Sequence, residues 1–158
     1  MSWHFHTISD ISLKITKGTT PKQFSEDGIN YIKAEALNGD SGLNLKSFSF
    51  ISENTHESLK RSQLQSNDVL VTIAGANIGK CGFVNPEILP ANTNQAVAIV
   101  RADTEKACPR FIYYFFKSPN TFRWIQGQNS QAAQPNLNLA TLGSIKIRLP
   151  DILTQKNI

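Results

Sequence analysis

Residues Val69–Val84 read VLVTIAGANIGKCGFV, and a second apolar run, Ala96–Arg101 (AVAIVR), follows twelve residues later. Both are short, rich in β-branched residues and bounded by Gly, Asn and Pro, which is how strands inside a sheet read. Val69–Ala74 and Gly82–Val84 are predicted as strands, and the glycines at 75 and 79 suit the turn between them. That turn leaves Asn77 and Lys80 as exposed donors at its tip. Further strands are predicted at Ile29–Lys33, Lys46–Ile51, Ala96–Arg101 and Ile145–Leu149. Helices are expected over Ser52–Arg61, where Ser caps and acidic residues open the first turns, over Pro109–Lys117, and over Asn120–Gln126. Gly127–Asn138 (GQNSQAAQPNLN) has neither periodicity nor charge and reads as an amide-rich loop. The expected fold class is α+β: one compact domain with a twisted, mostly antiparallel sheet or partial barrel and a few short helices.

The chain has 158 residues and a net charge of +4, enough for one domain with a real core. No apolar run approaches the roughly 18 residues of a membrane span, and MSWHFHTISD lacks a signal peptide's apolar region. The two cysteines, Cys81 and Cys108, fit a reduced compartment. Ser, Thr, Asn and Gln supply 48 residues against 28 charged ones, so the surface is rich in paired donors and acceptors of the kind that match base edges or hold turns. The charge is lopsided. Residues 1–105 hold 9 basic and 11 acidic groups, whereas residues 106–158 hold 7 basic and 1 acidic. Lys106, Arg110, Lys117, Arg123, Lys146 and Arg148 are interleaved with aromatics, which suggests a polyanion partner, while most of the FIYYFF run must be core.

Catalytic signatures are missing. The segment from Gly75 to Cys81 has three residues between its glycines and Cys after Lys, so it fails the phosphate-loop pattern. His4, His6, His56, Cys81 and Cys108 show no metal-ligand spacing, although His4 and His6 can share one strand face. No acid is followed two residues later by Lys, as nuclease chemistry would use, and no G-x-S-x-G elbow occurs. The Asn-Pro-Pro or Asp-Pro-Pro run of adenine methyltransferases is also absent.

Taken in order, several stretches resemble the target recognition domain of the DNA specificity subunit of type I restriction-modification systems. They are ISDISLKITKGTTP (Ile8–Pro21), read as an opening helix and a glycine-threonine turn, INYIKAEALNG (Ile29–Gly39), LKRSQLQSNDVLVTIAGANIGKCGFV (Leu59–Val84), LPANTNQAVAIVR (Leu89–Arg101), PRFIYYFF (Pro109–Phe116) and NLNLATLGSIKIRLPDILTQ (Asn136–Gln155). The resemblance divides the chain into a recognition domain over residues 1–150 and the start of a truncated spacer helix over residues 151–158. The family's Pro-Leu-Pro-Pro-Leu-x-x-Gln segment is present only in outline, as Leu149-Pro150-Asp151-Ile152-Leu153-Thr154-Gln155.

What the resemblance implies is sequence-specific binding of double-stranded DNA, with one such domain reading one half-site of a bipartite target. The chain itself is then not an enzyme and binds no cofactor; S-adenosylmethionine, ATP and magnesium belong to methylation and restriction subunits, which dock through the spacer helices where those are present. A second recognition domain, in the same subunit or in a half-subunit dimer, completes the target, no membrane is involved, and the setting is the prokaryotic cytoplasm, on DNA. Residues expected at the DNA are Lys17, Thr19, Thr20, Lys22 and Lys33, the hairpin-tip pair Asn77 and Lys80, Asn92, Asn94 and Gln95, the helical cations Lys117 and Arg123, and the amide-loop residues Gln128, Asn129, Gln131, Gln134 and Asn136. Asn and Gln suit adenine, Arg and Lys suit guanine or phosphate, and the same amides also hold turns. An alternative keeps the fold but makes it a protein-interaction or decoy module that occupies a methyltransferase subunit without selective DNA binding.

Overall fold

A computed structural model describes residues 2–38, 42–128 and 136–158. Its centre is a four-stranded antiparallel sheet in the order β2 (Ser12–Lys17), β8 (Val97–Ala102), β5 (Val69–Thr72) and β6 (Cys81–Phe83). β3 (Ile29–Ile32) lies between β4 (Ser49–Ile51), antiparallel, and β7 (Ala91–Thr93), parallel, and β1 (His4–Thr7) pairs with β9 (Lys146–Leu149).

The apolar runs Val69–Val71 of β5 and Val97–Val100 of β8 have a simple cause. Val69, Val71, Ala98 and Val100 point into one core with Ile112, Tyr113 and Phe116, whereas Leu70, Val97 and Ile99 point into another with Ile32, Leu37 and Val84. Both faces of the central sheet are therefore covered, and neither strand needs a polar side. α2 (Pro109–Lys117) supplies the cover on the first face and α3 (Pro119–Gly127) follows it after a single residue, Ser118, ahead of Pro119. Of FIYYFF, Ile112, Tyr113 and Phe116 are buried, and Tyr114 is exposed. Cys81 and Cys108 are free thiols, and burial pushes the Cys81 thiol up to about 11.

Several boundaries differ from expectation for identifiable reasons. The opening helix at Ile8 is one 3-10 turn, Ser9–Ile11, because the alternating stretch after it pairs with β8 as a strand. The strand expected from Lys46 begins at Ser49, since the Asn44 side chain accepts from Lys46 N–H and caps a 3-10 turn at Leu45–Ser47. α1 runs only over Glu53–Ser58 behind its Ser52 cap; Leu59 leaves helical geometry, and a 3-10 turn at Lys60–Ser62 follows. Strands β1, β2 and β7 and helix α4 (Leu139–Ser144) were not anticipated. The short helix α5 (Ile152–Lys156) is capped by Asp151, whose side chain accepts from Thr154 N–H. Most of the amide-rich loop lies outside the described residues; at its end Asn136 forms a bridge with Ala74.

One ion pair ties the central sheet to the loop before it. Arg101 on β8 holds Asp68 through two contacts of 2.8 Å, and Asp68 also accepts from the Gln65 N–H at 2.8 Å. The Asp68 side chain is fully buried, so removing it leaves a largely covered guanidinium without its counterion. Asp68→Ala is expected to cost about 3 kcal/mol of unfolding free energy, measured by urea denaturation.

Candidate nucleic-acid interface

At the end of β2 the chain turns through Lys17-Gly18-Thr19-Thr20 against the segment Thr93–Gln95. Gly18 N–H donates to Val97 carbonyl at 3.1 Å and Thr19 N–H to Thr93 carbonyl at 2.9 Å. A Cβ on Gly18 would stand 2.1 Å from the Thr93 oxygen and 2.2 Å from the Asn94 oxygen, so only glycine permits this approach. The Thr20 hydroxyl meets Gln95 Oε1, and Tyr31 donates its hydroxyl to the Thr19 carbonyl at 2.7 Å. Burial raises the Tyr31 phenol far above its usual range, which keeps it a donor.

Three of the segments expected at DNA thus share one surface. Lys17, Thr20, Lys22 and Gln95 are exposed on it, and Thr19, Lys33 and Asn94 are half-buried. Lys33 places its ammonium 4.7 Å from the ring centre of Phe24, which is 45% exposed and stacks edge-on with Tyr31. Asn94 holds the turn locally, its Oδ1 accepting from Ala96 N–H at 3.2 Å. Arg61, not anticipated, joins them: its Nη2 donates to the Gly18 carbonyl and to Thr19 Oγ1, both at 3.2 Å, while Lys14 donates to the Arg61 carbonyl. In sequence, Lys60-Arg61 reads as a basic helix end; the break at Leu59 redirects Arg61 toward a turn 43 residues away, and no local pattern announces that.

Asn92 corrects the expectation for its segment. It is fully buried, its Oδ1 accepting from Thr93 N–H and the Ser62 hydroxyl and its Nδ2 facing His56 and the Leu59 carbonyl, so it cannot reach a base. His56 is likewise buried, and that burial lowers its pKa against the opposing field of Glu57.

A second group gathers around the hairpin between β5 and β6. Gly75 and Gly79 adopt positive φ values of 88° and 93°, as the turn reading requires, with Asn77 and Lys80 half-buried at the tip. A Cβ on Gly79 would lie 2.9 Å from the Phe122 ring of α3, and the Ala74–Asn136 bridge brings Asn136 alongside. Arg123 donates to Asn120 Oδ1 at 2.8 Å and Gln128 to the Trp124 carbonyl at 3.1 Å, both remaining exposed. Asn129, Gln131 and Gln134 lie outside the described residues.

The other C-terminal cations spread over several elements. Lys106 donates to the Asp10 carbonyl at 3.2 Å, Arg110 covers the Phe83 ring at 4.1 Å, and Lys117 lies 5.6 Å from the Tyr113 ring centre. Lys146 and Arg148, on the outer face of β9, border an open groove with Trp3, Phe5, Phe111 and Tyr114. Among the described residues no group of three or more His, Cys, Asp or Glu side chains could hold a metal ion, and no helix is long and apolar enough to cross a membrane.

Sheets of this arrangement, flanked by a few short helices, define the fold seen in specificity subunits. A chain from a study of complex assembly and conformational transition of the type I R-M system superposes with a TM-score of 0.68 at 18% identity, covering 98% of this chain and 36% of that one. The HsdS subunit from Thermoanaerobacter tengcongensis gives 0.68 at 17% identity, with 98% and 35% covered, and the S subunit from M. genitalium gives 0.64 at 15%, with 94% and 34% covered. The chain belongs to the type I restriction modification DNA specificity domain family, whose pattern it matches over residues 2–158. It is 33% identical over 133 residues to the type I restriction enzyme EcoBI specificity subunit of Escherichia coli, covering 84% of this chain and 27% of that protein. The chain therefore spans about a quarter to a third of the length of these relatives.

His56 gives the interface a pH signature. Its lowered folded value means that below the ordinary value of 6.5 the unfolded chain takes up a proton that the folded chain refuses. Stability from this group is complete above pH 6.5 and declines as the pH falls toward the folded value. His56→Gln should flatten that decline in urea midpoints measured between pH 7.5 and 5, and an unchanged acid limb would show that His56 is not its source.

Proposed function

We propose that this chain reads one half-site of a bipartite duplex target as part of a type I specificity subunit, and that partner subunits carry out adenine methylation and restriction. The observation that carries this reading is the convergence of the Lys17–Lys22 turn, Lys33, Gln95 and Arg61 on one surface that the Gly18 contact locks to the central sheet. Exposed amide and hydroxyl groups beside cations are what a base-reading, phosphate-anchored surface needs. A domain of this length has a radius of gyration of about 15 Å, so one face spans fewer than about ten base pairs and reads only a few of them.

In this reading Lys17, Lys22, Lys33, Lys117 and Arg123 neutralise phosphates, while Thr20, Gln95, Arg61 and the hairpin-tip residues Asn77 and Lys80 approach base edges. Asn136, bridged to Ala74 at the hairpin, and Gln128 at the C-terminal end of α3 extend the same role. The chain contributes no catalytic group and no cofactor site; S-adenosylmethionine, ATP and magnesium belong to the methylation and restriction subunits. A second recognition domain supplies the other half-site.

Selection from a randomised duplex pool, with and without a methylation subunit, should return one short preferred sequence. Recovery of unselected sequences in both arms would overturn the proposal. If about five phosphates are neutralised, log affinity falls against log salt with a slope of about −4.5, or roughly 500-fold for a fourfold rise in salt. Lys22→Ala should weaken preferred and scrambled duplexes alike and reduce the slope by about 1, whereas Gln95→Ala should relax the preference at one position. A slope near zero would rule out the electrostatic component.

A further inference from the structure

Behind the turn, buried polar groups form a chain whose inner donor directions are determined. Thr93 N–H, which can only donate, lies 3.0 Å from Asn92 Oδ1, and the Leu59 carbonyl, which can only accept, lies 3.3 Å from Asn92 Nδ2. The amide orientation is thereby set from both sides. Nδ2 donates to His56 Nδ1 at 3.1 Å, so the imidazole is neutral and carries its hydrogen on Nε2. Ser62 gives its one hydroxyl hydrogen to Asn92 Oδ1 at 2.5 Å. Ser62 Oγ also lies 3.4 Å from both Thr19 Oγ1 and the Leu59 carbonyl, and Thr19 Oγ1 accepts from Arg61 at 3.2 Å. From Ser62 through Asn92 to His56 the groups donate inward, and at the outer end of the chain the exposed Arg61 guanidinium donates to Thr19.

Ser62 and Asn92 are fully buried and His56 nearly so. Apolar residues of similar shape would serve stability as well, because hydrogen bonds exchanged for water ones add little net free energy. What only a directional chain supplies is a single arrangement of the groups at its outer end. We propose that His56, Asn92 and Ser62 are positioning residues for sequence discrimination: by holding Thr19 and Arg61 in one arrangement, they set which base pairs the turn accepts without touching the duplex. This rests on the reading of the turn as a DNA-contacting element.

The test uses the 158-residue chain and the duplex it selects from a randomised pool. The ratio of affinities for that duplex and a scrambled one is measured for the unsubstituted chain, His56→Leu, His56→Asn and Ser62→Ala, together with each melting temperature. Asn offers an oxygen where the imidazole presents Nδ1, and Leu offers none. The ratio should fall about 10-fold or more in His56→Leu and Ser62→Ala, entirely through the preferred duplex, and His56→Asn should restore most of it. Folded variants that keep the original ratio, or that lose affinity for both duplexes equally, would overturn the proposal. An unsubstituted chain with no preferred duplex would instead remove the DNA reading, and this inference with it. Should His56→Leu fail to melt cooperatively, Ser62→Ala decides, since it leaves the Asn92–His56 bond in place. If neither folds, the ¹⁵N resonance of His56 Nδ1 in the unsubstituted chain must shift with the preferred duplex and not with the scrambled one; equal responses would overturn the inference.

Discussion

The interface depends on one steric fact: at Gly18 the backbone of β2 passes so close to the Thr93 and Asn94 carbonyls that no side chain fits between them. That proximity lets Gly18 and Thr19 donate to Val97 and Thr93 and carries the sheet's hydrogen bonding past the end of the strand. The turn is therefore an extension of the sheet. Its exposed residues are tied to β8, a strand buried on both faces, which is the condition under which a few side chains can be held to a narrow geometric tolerance.

This rigid frame separates what must stay from what is free to change. Gly18, Asn92, Thr93 and Ser62 are enclosed by backbone and by one another. Lys17, Thr20, Lys22 and Gln95 project from the same frame into solvent and carry little of its packing. Substituting the second set leaves the enclosed contacts of the first in place. A recognition domain of this construction can present different side chains on one scaffold.

Much of this was legible in the sequence, and the misses share a cause. The central strands, the glycine hairpin and α2 follow from local pattern: apolar runs, glycines at the turn and proline at a helix start. The convergence of the Lys17–Lys22 turn with Asn94 and Gln95 was anticipated in membership but not in mechanism. Asn92 was misread because an asparagine that holds a buried network and one that reads a base look identical in sequence; only the burial of β7, three residues long and paired parallel to β3, tells them apart. Arg61 at the turn and the supporting contact of His56 with Asn92 were not anticipated because their partners lie 36 to 43 residues away in the chain, beyond any helical or strand period.

The same long reach dictates when the interface comes into being. The turn is translated early, yet the groups that hold it arrive with Ser62, then Asn92 and Thr93, and finally the Val97 carbonyl. During synthesis the Lys17–Thr20 segment stays unsupported until well over half the chain has emerged. Contacts between residues so distant in sequence form late, after loop closure has been met by the central strands. The turn thus matures only after Val97 has emerged, and a chain interrupted before that point would expose its basic residues without the contacts that hold them in place.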